Sequence, residues 1–205
     1  MKSLLSTGSM LLVSAFAEIC TEFCHCRIQN NYSIVIQCTQ KEDLTPLLNA
    51  LALNNSEVIM LTVAGSGIQR MPSAVCGLEK LRSLSFTNNS LIELDPTCFF
   101  NMPELQTLYL SDNKITEIPD HIFDGNVNLR RLHLDSNMVH YIGQNVFSNS
   151  SLLTHLEAIN LYGNQLTSLD SWPMIRMASA TISSCQIYLM DNHIDTITGK
   201  LDNPK

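Results

Sequence analysis

The sequence predicts an α/β-type solenoid, a curved horseshoe with a parallel β-sheet on its concave face. Three observations predict it. A phrase of the form L-x-x-L-x-L returns along most of the chain. An Asn or Ser follows each copy, at Ser66, Asn89, Asn113, Asn137, Asn164 and Asn192, and these positions step by 23, 24, 24, 27 and 28 residues. The alternation inside the phrase has the period of a strand, which one amphipathic helix does not explain. A period of this length, with one strand per copy, belongs to stacked repeats in which each unit buries its apolar face against its neighbours.

Composition bounds the class. The chain has 205 residues, 45% hydrophobic and 15% charged, which is globular rather than disordered. Lys+Arg 12 against Asp+Glu 19 gives −7, the wrong sign for a general nucleic-acid binder. No apolar run reaches the ~18 residues of a membrane span, so no membrane insertion is expected. The seven cysteines are an odd number, and their placement carries the compartment.

Residues 1–17 read as a secretory signal peptide: Lys2, an apolar stretch diluted by Ser6, Thr7, Gly8 and Ser9, then Ala15-Phe16-Ala17 as a small-x-small cleavage site. Residues 18–57 follow as a cysteine-rich segment, with Cys20, Cys24, Cys26 and Cys38. An oxidising destination makes these disulfide partners. His25 between Cys24 and Cys26 invites zinc. Neighbours on a strand point to opposite faces, however, so they do not share a tetrahedral centre, and no metal is expected. Asn31, Asn54, Asn88 and Asn149 head N-x-S/T acceptor sites, consistent with secretion.

Residues 58–199 hold about six units of a leucine-rich-repeat pattern. The cleanest runs Leu105, Leu108, Leu110, Asn113, Ile115, Ile118, and the first and last units are degenerate. Inward residues such as Leu108 and Leu110 each contribute about 1.5–3 kcal/mol when buried. Asn89, Asn113, Asn137, Asn164 and Asn192 are expected to stack as a structural ladder, because an amide can donate and accept at once. Phe99, Phe123 and Phe147 fall at one convex position and predict a buried aromatic spine. Cys76 takes that position in the first unit and Cys98 lies one place before it in the next. The two are either bridged or two buried thiols. Residues 200–205 form a polar tail with no lipid-anchor signal.

Together these features resemble the extracellular leucine-rich-repeat proteins, a group that includes Toll-like receptor ectodomains and secreted recognition proteins. The cysteine cluster looks like that family's N-terminal cap, and the resemblance implies bridges Cys20–Cys26 and Cys24–Cys38. The family commonly closes with a cysteine-containing C-terminal cap, and nothing of that kind follows Gly199. The expectation is therefore an abridged product of a longer receptor, or a non-cysteine cover involving Trp172-Pro173. Cys185 is left over, which raises a dimer linked through it.

The solvent-facing strand positions are small and bland in the first two units. The later ones gather Tyr109, Arg131, His133, Asp135, Tyr162 and Tyr188, and Tyr and Arg are enriched at binding hot spots. These six form the candidate ligand-binding patch on the concave face; β propensity alone is the competing account of its tyrosines. A glycan at Asn88 would crowd the bland half. His133 offers a group that titrates near neutral pH. His133, Asp135 and Ser111 also invite a hydrolase reading, but an open strand wall provides neither pocket nor oxyanion site. The expected function is recognition of an extracellular protein or glycan, possessing no catalytic activity and needing no cofactor. The receptor-derived or secreted type, innate-immune or cell-surface signalling, ranks before a matrix structural or adhesion component.

Overall fold

The computed structural model describes residues 24–29, 33–38, 58–147, 155–169 and 185–195. Residues 1–17, expected to be a signal peptide, Cys20, Asn31, Asn54, Asn149, Trp172-Pro173 and residues 200–205 lie outside them, as do the side chains of Cys24, Cys26 and Cys38. His25 is exposed.

Ten strands are described: β1 Cys24–Gln29, β2 Ser33–Cys38, β3 Met60–Ala64, β4 Ser83–Ser85, β5 Thr107–Tyr109, β6 Glu117–Ile118, β7 Arg131–His133, β8 Tyr141–Ile142, β9 Ala158–Asn160 and β10 Gln186–Tyr188. Eight of them form one sheet in the order β1-β2-β3-β4-β5-β7-β9-β10. Only β1–β2 is antiparallel, with Cys24 opposite Cys38 in register. From β2 onward every pair is parallel. Met60, Ser83, Thr107, Arg131, Ala158 and Gln186 are consecutive partners. Their steps of 23, 24, 24, 27 and 28 are those of the Asn ladder, so strand register and turn chemistry share one period.

The core follows the same grid. Leu61, Leu84, Leu108, Leu132 and Ile159 lie under the middle of each strand, none more than 1% exposed, followed by Val63, Phe86, Leu110, Leu134 and Leu161 at 0%. Ile187 holds the same position on β10 and is 37% exposed, because β10 is the last strand among the described residues. On the convex side Phe99, Phe123 and Phe147 are buried. Their centroids are 6.0 Å and 5.8 Å apart, the first pair edge-on and the second stacked.

The convex wall is mostly turns. A 3-10 turn spans Val75–Gly77, and a short helix α1 spans Pro96–Phe100. Asp95 starts α1: its Oδ1 accepts from the Thr97 amide at 2.8 Å and hydroxyl at 2.7 Å, and Pro96 sits where no helical amide is needed. Those hydrogen bonds, the hydroxyl foremost, hold the Asp95 carboxyl below its ordinary pKa. Cys76 and Cys98 are joined by a disulfide with Cα atoms 4.5 Å apart, tying the 3-10 turn to α1. Cys185 is a free, partly buried thiol.

Each turn leaves its strand through a left-handed residue placed immediately before the ladder position. Gly65, Asn88, Asp112, Ser136, Gly163 and Asp191 have φ of 71°, 52°, 57°, 54°, 65° and 54°. The sequence reading did not isolate this position, although its signal is plain: Gly, Asn, Asp and Ser tolerate or favour that region and bulkier residues do not.

Candidate functional site

The ladder sets the spacing of the concave wall. Asn113 donates from Nδ2 to the Phe86 and Leu110 carbonyls at 2.7 and 2.9 Å and accepts from the Leu91 amide at 3.0 Å. Asn137 repeats this with Leu110, Leu134 and Ile115, and Asn164 with Leu134, Leu161 and Val139. Asn192 bonds Leu161, Leu189 and Leu166 likewise. Asn89 closes the first turn onto Val63 and Ser66. Each amide thus satisfies two turns at once, where an unmet buried polar group would cost about 1–3 kcal/mol. Asn126 makes a comparable convex staple that the sequence reading missed, donating to Phe99 and Met102 at 2.8 Å each.

On this scaffold three transverse rows face the concave side, the first being the Met60-to-Gln186 register given above. The second reads Thr62, Ser85, Tyr109, His133, Asn160, Tyr188 in register. Two residues further along each strand path come Ala64, Thr87, Ser111, Asp135, Tyr162 and Met190. Ser85 departs from the expected solvent-facing position: it is buried, beside Tyr109 in register and 3.5 Å from the Thr87 hydroxyl.

The six patch residues fall into two groups. Tyr109 and His133 stack with centroids 4.7 Å apart and planes 17° from parallel, forming a flat platform. Asp135 lies beside it, its Oδ1 accepting from Ser111 Oγ at 2.8 Å and Asn160 Nδ2 at 2.9 Å. Tyr162 is exposed on the next strand path, where interaction with the nearby Asp191 carboxylate raises its phenol's pKa. Arg131 and Tyr188 stand apart. Arg131 Nη2 is 2.6 Å from Glu157 Oε2, at the rim where the strands begin. The Tyr188 hydroxyl donates to Gln186 Oε1 at 2.6 Å on the last described strand.

Asn160, Glu157 and Asp191 are the participants that the sequence reading did not assign. Asn160 and Glu157 have no signal beyond strand register, whereas Asp191 is marked as the residue before a ladder Asn. His133 is held below its ordinary pKa, first by burial and further by Arg131, while Asp135 pulls the other way. Ser111 donates to Asp135 and His133 stacks on Tyr109, so the serine-to-histidine hydrogen bond that a hydrolase needs is replaced by a serine-to-carboxylate one. Burial raises the Cys185 thiol's pKa and lowers its thiolate fraction. No helix among the described residues is long and apolar enough to cross a membrane.

A register-locked wall of short parallel strands, tied by buried asparagines and presenting an open face, defines a repeat solenoid of the interaction-module class. Residues 46–115, 79–139 and 103–166 each match the leucine rich repeat family model. Together they span 46–166, which is 121 of 205 residues. The chain belongs to the leucine-rich-repeat family, whose domains are protein-interaction modules and typically not enzymes. No curated protein matches the chain.

Proposed function

We propose that this protein is a secreted or receptor-derived recognition module, of innate-immune or cell-surface signalling type, that binds an extracellular protein on its concave face. The observation that carries the reading is the Tyr109–His133 platform beside Asp135. It places aromatic area of low conformational entropy and fixed polar groups on one open surface. The Cys76–Cys98 disulfide supports an oxidising compartment, as the N-terminal signal peptide and the cysteine-rich segment do at sequence level. The register that opposes Cys24 and Cys38 supports the bridge implied between them, since opposed antiparallel residues lie about 4.5–5.5 Å apart.

The test is a binding screen of the full chain against arrayed extracellular proteins and glycans, repeated with Tyr109→Ala/His133→Ala and with convex-side Tyr141→Ala. A protein ligand lost only with the concave variant is expected. A ligand indifferent to that variant, or a set of glycan ligands alone, would overturn the reading. Cys185 supplies a thiol for the disulfide-linked dimer that the odd cysteine count suggests. Intact mass under non-reducing conditions tests that part, and a monomer with one alkylatable thiol discards it.

A further inference from the structure

We infer that Asn88 carries an N-linked oligosaccharide, which stands at the rim where the concave strands end and bounds the docking surface on its N-terminal side. The inference rests on the secreted, concave-face reading and adds a covalent modification and the limit that it sets. Asn88-Asn89-Ser90 is the acceptor triplet that lies wholly within the described residues.

Two adjacent asparagines on one turn have different jobs. The Asn89 amide is fully engaged: Nδ2 donates to the Val63 and Thr87 carbonyls at 2.9 and 3.1 Å, and Oδ1 accepts from the Ser66 amide at 3.1 Å. Asn88 holds the turn through its backbone alone. Its N–H donates to the Ser111 carbonyl at 3.1 Å, and its carbonyl accepts from the Gly65 N–H at 2.9 Å. The Asn88 side chain is exposed and, among the described residues, makes no hydrogen bond. A sugar on its Nδ2 therefore displaces no contact of the turn. The flanking turns leave room: Gly65, one turn back, has no side chain, and Asp112, one turn on, is exposed.

Ser90, the third member of the triplet, is equally free of structural duty. Its N–H donates to the Ile68 carbonyl at 2.9 Å, a backbone contact, and among the described residues its hydroxyl makes no hydrogen bond. The same place in the other turns holds Gly67, Lys114, Met138, Gln165 and His193, so the fold makes no demand for serine there. The pairing of Asn with a hydroxyl two residues on suits a transferase instead. The donor is a lipid-diphosphate oligosaccharide of the secretory membranes. One Asn88 Nδ2–H is replaced by a bond to the anomeric carbon of the first sugar, the lipid diphosphate leaves that carbon with the bonding pair, and the proton is released; nothing is oxidised or reduced. A bulky, hydrated chain here stands over the small side chains of Ala64 and Thr87. Asp135 lies two strand paths further on, about 10 Å away at the ordinary strand spacing, and Tyr162 lies three. The sugar thus fences the bland half and leaves the later strands to a partner.

The experiment expresses the full chain in cultured animal cells, collects it from the medium and releases N-linked glycans enzymatically in heavy-oxygen water. Each formerly glycosylated Asn then becomes a labelled Asp. Tryptic cleavage after Arg82 and Lys114 isolates residues 83–114, in which Asn88 heads the one acceptor triplet. Label at Asn88 is expected in most molecules, and is expected to be lost in Asn88→Asp and in Ser90→Ala, which keeps Asn88 itself. Both variants suit the turn: Asp112 and Asp191 hold the same left-handed place as Asn88, and the Ser90 hydroxyl bonds nothing described. Thermal melts verify their folding. Unlabelled Asn88 in the secreted chain, or label that persists in Ser90→Ala, would overturn the modification and leave the secreted reading standing. A chain retained in the cell with residues 1–17 attached would remove both. The boundary is tested by moving the sugar two turns on, with Ser136→Asn and Met138→Ser in an Asn88→Asp chain, which builds the same triplet around Asn137. An arrayed protein ligand lost with Tyr109→Ala/His133→Ala is expected to bind the natural glycoform and to be lost with the moved sugar. Retained binding with the sugar moved, or gained binding when the Asn88 sugar is removed, would overturn the boundary.

Discussion

Asn137 carries in one side chain most of what a single residue does in this molecule. It joins three carbonyls and one amide, from Leu110, Leu134, Asp135 and Ile115, at 2.9 to 3.2 Å. Asn137→Ala leaves several of these groups buried without partners and is expected to destabilise the fold by about 3 kcal/mol, read as a shift in urea midpoint. The neighbouring left-handed residue is separable from it. Ser136→Gly should stabilise by roughly 0.5–1 kcal/mol by relieving the φ of 54°, and Ser136→Val should destabilise by about 1–2 kcal/mol. His133 adds a pH dependence of stability. Its folded pKa is depressed, so the neutral ring's contribution is present above the ordinary imidazole value near 6.5 and is lost as pH falls through the lower folded value. Urea midpoints measured from about pH 7 to about pH 5 should therefore fall more steeply for wild type than for His133→Gln. At this scale the ladder was legible because an amide recurring in phase has one economical use. Of the partners of Asp135, Ser111 was already grouped with it and His133 by aligned strand positions, whereas the Asn160 contact emerges only through cross-strand register.

The convex elements show what holds one repeat to the next away from the sheet. The Cys76–Cys98 bridge closes a separation of 22 residues, and its loss in Cys76→Ser/Cys98→Ser is expected to lower stability by about 3 kcal/mol on the chain-entropy account. Gly125 lies under the backbone of α1, where an added Cβ would collide with the Phe100 carbonyl. Gly125→Ala should therefore force the two convex turns apart, and thermal melts would show it. Strand positions and the Phe spine followed from periodicity alone. The α1 cap and the β6–β8 pair did not, because convex segments are short and set by packing on the preceding turn rather than by their own pattern. For the same reason the sequence left the cysteine pair open: one residue of phase difference between Cys76 and Cys98 is compatible with bridged or separate thiols until the turns are placed.

For the molecule as a whole, the sheet buries one face and leaves the other for a partner. The aromatic and charged side chains on that face are concentrated from β5 onward. The repeat period revealed that a concave wall exists and which side chains stand on it. Which of those side chains meet was fixed by register and by the pairing of Arg131 with Glu157. The most direct measurement of the central claim is amide hydrogen exchange of the full chain with and without the protein ligand recovered from the array. Protection is expected across residues 107–112, 131–136 and 158–163. Protection confined to the convex segments 96–103 and 117–124, with the concave strands unchanged, would contradict it.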